Sequence, residues 1–186
     1  MRLHERASAR AAYLRASEYH RQSYFFLRHD LGDPRLRLPT VPTSRPFSRQ
    51  SELMSHPAET AAIPYASTHL KGYFFAPDSS AQPRPTLLLP CGYDSTAESG
   101  WSNVPAALQR GYNAFVFEGP GQGAALYEQG LVFRLDFEHV VTPAIDWLLQ
   151  RPEVDADNLI LVGRSFAGYL APRAATAEHR IAALVV

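Results

Sequence analysis

Two hydrophobic textures divide the chain. From about His4 to His29 it is rich in Ala and Arg and contains neither Gly nor Pro. Ala9, Tyr13, Ala16, His20, Tyr24 and Leu27 recur there at three- and four-residue spacing, which predicts a helix with one weakly apolar face. Leu31-Gly32-Asp33-Pro34 stops it, and from there to Pro57 the chain is rich in Pro, Ser and Arg, with a short helix predicted around Phe47–Met54.

Beyond Pro57 the pattern changes. Ala61–Tyr65 and Gly72–Ala76 read as two short strands of a hairpin. Thr86–Leu89, Ala114–Phe117 and Leu159–Val162 are continuous apolar runs, as expected of strands buried on both faces. Between them, helices are predicted at Val104–Arg110, closed by Gly111, and at Glu138–Arg151 despite Pro143. A further helix is predicted from Ser165 to about Ala177, and Ile181–Val186 begins another strand. Buried strands alternating with helices give an α/β class with a parallel sheet. The expected organisation is an N-terminal helical arm over residues 1–58, serving as a cap or dimer contact, and a core over 59–186. Val186 falls inside an apolar strand, so the core is expected to be the front part of a longer fold whose C-terminal part is missing.

Hydrophobic residues at 46% and charged residues at 19% exclude a wholly disordered chain, and no apolar run is long enough for a membrane span. Cys91 is the single cysteine, which excludes a disulfide scaffold and any multi-cysteine zinc or iron–sulfur centre and fits a reducing, cytoplasmic compartment. Net charge is zero but uneven: residues 1–49 carry ten Arg against Glu5, Glu18, Asp30 and Asp33. The Arg residues alternate with acids and no base-reading motif follows, so an arm docked on an acidic body is expected rather than a nucleic-acid partner. An Arg-, Ala- and Ser-rich start resembles a transit peptide, but Glu5 and Glu18 argue against one.

The strongest chemical signal is Val162-Gly163-Arg164-Ser165-Phe166-Ala167-Gly168, between a buried strand and a helix. That context is a nucleophile elbow, a sharp turn that lifts a serine hydroxyl above the sheet; a plain turn with Ser165 as helix N-cap is the competing reading. Leu89-Pro90-Cys91-Gly92-Tyr93-Asp94-Ser95 follows the first buried strand and can supply one oxyanion N–H, from Gly92 or Tyr93, with Phe166 supplying the other. Cys91 has no His at motif spacing and is not expected to be a nucleophile. Gly119-Pro120-Gly121-Gln122-Gly123 has the wrong spacing for dinucleotide binding, Pro120 removes a donor, and no helix is expected to open on Gly123 with an acid about 20 residues later. It reads as a tight strand-end loop beside an active site, and no cofactor and no metal are expected.

Together these stretches resemble the α/β-hydrolase fold, a mostly parallel sheet with helices on both faces. The likeness extends through Ala11–Ala16, Tyr24–Leu27, Asp33-Pro34-Arg35, Ile63-Pro64-Tyr65, Gly72–Phe75, Tyr93–Thr96, Phe117–Ala124 and Gly168–Arg173. It points to the subgroup of 2,6-dihydroxypseudooxynicotine hydrolases and of fungal pigment-pathway hydrolases that shorten polyketides. The resemblance implies a Ser–Asp–His triad with Ser165 as nucleophile, cleavage of a carbon–carbon bond next to a ketone, and an accessory glutamate at Glu98. Two departures stand out: Pro90-Cys91-Gly92 where members carry His-Gly-Gly, and Ala167 at the second elbow glycine. After Ser165 only Glu178 and His179 remain as acid or base, and His179 lies too early for the triad base; Asp94, Glu118 and Asp136 are expected to be structural. The implied substrate is a small-molecule ketone, polyketide-like or aromatic, or an ester if the protein is a carboxylesterase or acyltransferase. The alternative from another class is a catalytically incomplete fragment with a binding or homodimerising role. Residues 1–186 alone are expected to be inactive and poorly soluble.

Overall fold

A computed structural model describes residues 3–36 and 40–186, and divides the chain into two compact units that meet at Ala58/Glu59. In the first unit, helix α1 (Leu3–Ser23) packs on helix α2 (Thr40–Glu52), with single 310 turns at Phe25–Leu27 and Pro34–Leu36. Helix α1 stops six residues before the predicted His29. The Ser23 hydroxyl donates to the His20 carbonyl (2.7 Å), and the aromatic run Tyr24-Phe25-Phe26 has poor helix propensity. The predicted face holds only in part: Tyr24 is buried as expected, but Ser17 is buried as well, whereas Tyr13 and His20 are exposed. With so many Arg in the segment, the apolar stripe is too weak to fix the orientation. Helix α2 starts seven residues before the predicted Phe47 and buries Phe47 and Gln50.

The second unit is a six-stranded sheet, β1 (Glu59–Tyr65), β2 (Thr68–Phe75), β3 (Arg84–Pro90), β4 (Asn113–Phe117), β5 (Val154–Val162) and β6 (Ile181–Val185), in the order β1-β2-β4-β3-β5-β6. The predicted parallel pairing holds for β4-β3-β5-β6 and the predicted hairpin for β1 and β2, which pair antiparallel; β2 also pairs antiparallel with β4, so the sheet is mixed. The cause is local: β1 and β2 are joined by a two-residue turn, with Ala66 at φ 47°, and a tight turn can only reverse the chain.

Helices α3 (Val104–Gln109), α4 (Gly123–Tyr127), α5 (Glu138–Leu148) and α6 (Ala167–Ala175) connect or cover the strands, and a 310 segment spans Ala97–Asn103. Contrary to the sequence expectation, a helix does open on Gly123, although it is a single short turn. The apolar runs behave as their composition requires: every residue of β4 is buried. Val141, Ile145 and Leu148 of α5 and Leu170 and Ala174 of α6 join Leu88, Phe115, Phe117 and Leu161 in one core. Trp147 stacks on Phe115 at 4.9 Å between ring centroids. Asn113, buried in β4, donates its Nδ2 to the Thr86 hydroxyl (3.1 Å) and the Glu153 carbonyl (2.7 Å), while its Oδ1 is buried without a hydrogen-bond partner. Among the described residues no helix is long and apolar enough to cross a membrane.

Candidate active site

Strand β5 ends at Val162 and α6 begins at Ala167, leaving four residues to reverse the chain. Ser165 takes φ 59°, the left-handed region that costs a side-chain-bearing residue energy and recurs where a turn must present one group. A Cβ on Gly163 would collide with the carbonyl of Ala167, so only glycine lets strand and helix approach this closely. The Ala167 departure is accommodated, because its methyl is fully buried in the core side of the turn. Position 168 demands less: a Cβ there would meet the Gly163 oxygen at an ordinary 3.7 Å. Gly163 N–H donates to the Val185 carbonyl (2.8 Å), tying the elbow to β6, and Ser165 is exposed.

The loop after β3 lies against this turn. A Cβ on Gly92 would sit 3.3 Å from Ser165 Cβ and 3.5 Å from its Oγ, so the Gly92 backbone borders the hydroxyl directly. Phe166 is the N-cap of α6, and its N–H belongs to the donors that a helix start leaves unmatched within the helix. Cys91 N–H extends the sheet by donating to Phe117 O (3.0 Å). Its thiol is buried and pushed well above the ordinary range by that burial, so it is no ready nucleophile.

The loop after β4 is tied to the loop after β3 through Gln122, which the sequence did not single out. Gln122 Nε2 donates to the Cys91 carbonyl (2.6 Å) and its Oε1 accepts Gly119 N–H (2.6 Å). The preceding Glu118 is buried and accepts N–H bonds from Ala97 (3.0 Å) and Ala124 (2.8 Å), joining the 310 segment to α4. Gly123 at φ 42° is required beside it, since a Cβ would run into the carboxylate. Burial, reinforced by the Glu98 charge and opposed by Lys71 and the two amides, raises the Glu118 carboxyl to about 7. The only sequence signal for this network was the glycine spacing.

Glu98 lies in the 310 segment and is buried. It is ion-paired with Lys71 and accepts the Tyr73 hydroxyl (2.9 Å). Burial favours its neutral form, but Lys71 outweighs that and keeps the carboxyl below its ordinary range. The open pocket beside Ser165 is lined by Gly92, Ser95, Asn103 and Arg164 among others, and neither Glu98 nor any histidine or acid is in its lining. His179 is exposed beyond the end of α6. Glu178 accepts from Thr142 (2.7 Å) and is held down to about 2 by its hydrogen-bonded ion pair with Arg180. Asp136 is likewise engaged, bidentate with Arg134. Four rings surround the other side of the elbow: Tyr93 stacks on Phe133 (5.5 Å), Phe133 meets Phe166 edge-on (5.1 Å), and Phe166 stacks on Tyr169 (5.8 Å).

No protein-family model matches the chain. It is similar to the hydrolase acrC of Aspergillus aculeatus, 37% identical over 96% of this chain and 46% of that protein. It is also similar to the 20-hydroxy-prefusarin hydrolase FUS2 of Gibberella moniliformis, 35% identical over 97% of this chain and 45% of that protein. The chain thus spans about half the length of the curated relatives it matches. Among solved structures, AbyA5 superposes with a TM-score of 0.75 at 24% identity, over 97% of this chain and 51% of that one. A 2,6-dihydroxy-pseudo-oxynicotine hydrolase superposes with a TM-score of 0.70 at 22% identity, over 91% and 54%.

Proposed function

With an α/β-hydrolase fold as its framework, we propose that this chain carries the nucleophile of a serine hydrolase that cleaves a carbon–carbon bond next to a ketone. The observation that carries the reading is Ser165 held at φ 59° on a strand-to-helix elbow, with the Gly92 backbone bordering its hydroxyl. Ser165 Oγ attacks the carbonyl carbon, and the developing alkoxide is met by the N–H groups of Phe166 and of Gly92 or Tyr93. Collapse breaks the bond to the neighbouring carbon, which leaves as an enolate or an electron-rich aromatic and takes up a proton. Water then hydrolyses the acyl-enzyme. The Ser165 proton passes to a base that returns it to the departing carbon; no histidine or acid lines the pocket, so we assign that base to the part of the relatives' length that this chain does not span. The rings of Tyr93, Phe133, Phe166 and Tyr169 favour a planar, conjugated acyl portion, in keeping with a polyketide-like or aromatic ketone.

Glu98 enters the proposal only as a positioning residue, because its carboxylate is engaged by Lys71 and Tyr73. The test is turnover of a β-diketone and of an activated ester by the complete protein carrying this sequence, with and without Ser165→Ala. Loss of about a thousandfold or more on both substrates is expected. Activity within about tenfold of the parent would overturn the assignment, and turnover of the ester alone would favour a carboxylesterase or acyltransferase. Residues 1–186 expressed alone are expected to show no turnover that Ser165→Ala removes.

A further inference from the structure

Arg164 stands immediately before Ser165 in the elbow and is exposed. Its Nη1 donates to the Ser102 hydroxyl (3.2 Å), and it forms no ion pair with a carboxylate among the described residues. Of the six other arginines of the Glu59–Val186 unit, Arg84, Arg134, Arg151, Arg173 and Arg180 are paired with acids, and Arg110, which donates to the Ala106 carbonyl (2.9 Å), does not line the pocket beside Ser165. A neutral hydroxyl engages one of the guanidinium's N–H donors and compensates none of its charge.

Arg164 is exposed and is also one of the residues that line the pocket beside Ser165. Arg164 lines it with Ser165, Gly92, Ser95 and Asn103, and no acidic side chain is in the lining. The two carboxylates that act on the lining residue Cys91, those of Glu118 and Glu98, lie outside the lining and are engaged by two amides and by Lys71, which leaves Arg164 as the charged side chain of the lining. A guanidinium fork matches a carboxylate in two parallel hydrogen bonds, a geometry that an ammonium cannot reproduce.

We propose that Arg164 is a substrate-binding residue for a carboxylate, so that the pocket takes a keto acid with its anionic end on the guanidinium and its ketone at Ser165. The placement of the ketone rests on the serine-hydrolase reading; the anion site does not. The test is therefore a binding experiment, made on the complete protein carrying this sequence with levulinate as the keto acid and its methyl ester as the uncharged counterpart, followed by amide and arginine Nε resonances.

Saturable shifts at Gly92, Asn103 and Arg164 are expected with levulinate, weakening as salt is added, and much smaller ones with the ester. Arg164→Gln is expected to weaken levulinate binding by about tenfold or more, and Arg164→Lys by less. The readout is binding and involves no turnover, so failure of the nucleophile assignment would leave it unchanged whereas failure of the anion site would not. Equal shifts with levulinate and its ester, salt-independent binding in the unmodified chain, or undiminished binding by Arg164→Gln would each overturn the proposal. The salt series needs no variant, so misfolding of Arg164→Gln would not rescue it.

Discussion

The backbone of Ser165 pays a conformational cost that its side chain cannot avoid, because the left-handed region disfavours any Cβ. Two substitutions that both delete the hydroxyl should therefore differ in stability. Ser165→Gly is expected to be more stable than Ser165→Ala by about 1 kcal/mol in urea unfolding, since only glycine relieves the strain. Equal midpoints would mean that the turn relaxes away from φ 59° once the hydroxyl is gone. Gly163 makes the opposite demand: Gly163→Ala drives a methyl into the Ala167 carbonyl, which is backbone and cannot swing aside. A loss of more than about 3 kcal/mol is expected, with displacement of the elbow.

Among the elements, the loops after β3 and β4 behave as one unit because Gln122 bonds both. Gln122→Ala strands the Cys91 carbonyl and the Gly119 N–H inside the protein, a loss of about 2–4 kcal/mol. Amide exchange at Gly92 and Tyr93 is expected to accelerate about tenfold or more, while exchange in β5 changes less. Gln122→Glu keeps the acceptor for Gly119 but cannot donate to Cys91, and should loosen mainly the loop after β3. These loops also show what the sequence could and could not convey. Gly163 beside Ser165 marked the turn, and the apolar runs marked β3, β4 and β5, because both signals are local. The 310 segment at Ala97–Asn103 and the turn of helix at Gly123 were not foreseen, since both are held by a side chain outside them, the Glu118 carboxylate, on the Ala97 and Ala124 amides. The antiparallel placement of β2 against β4 was equally hidden, because apolar runs say that strands are buried and nothing about their neighbours. Glu98 was visible only by its position, and its partners Lys71 and Tyr73 on β2 could not be inferred from spacing.

For the molecule as a whole, these internal carboxylates pull stability in opposite directions with pH. Burial raises Glu118 to about 7, whereas an unperturbed glutamate titrates near 4.5, so between those values the native state holds the extra proton. Its contribution therefore falls as pH rises through that window. Glu178, held down to about 2 by Arg180, contributes stability that is complete above about 4.5 and is lost as pH falls towards 2. Urea midpoints are expected to peak in the mildly acidic range and to decline towards about pH 8. Glu118→Gln should flatten the upper decline; an unchanged slope would show that Glu118 is not its source.

The strand order also constrains how the chain can be made. As synthesis proceeds, β1 and β2 emerge as a hairpin and β3 follows, yet β3 is not the native neighbour of β2: that place belongs to β4. Until Asn113–Phe117 leave the ribosome, the apolar edges presented by Phe74, Phe75 and Leu87–Leu89 have no correct partner, and pairing them with each other yields a sheet with no slot for β4. Such a trap opens only by breaking hydrogen bonds already formed, so the yield of folded protein is governed by whether β4 arrives before β2 and β3 find each other. Slower translation between Pro90 and Asn113 should therefore favour misfolding, and binding of the nascent chain by a chaperone over that interval should counter it.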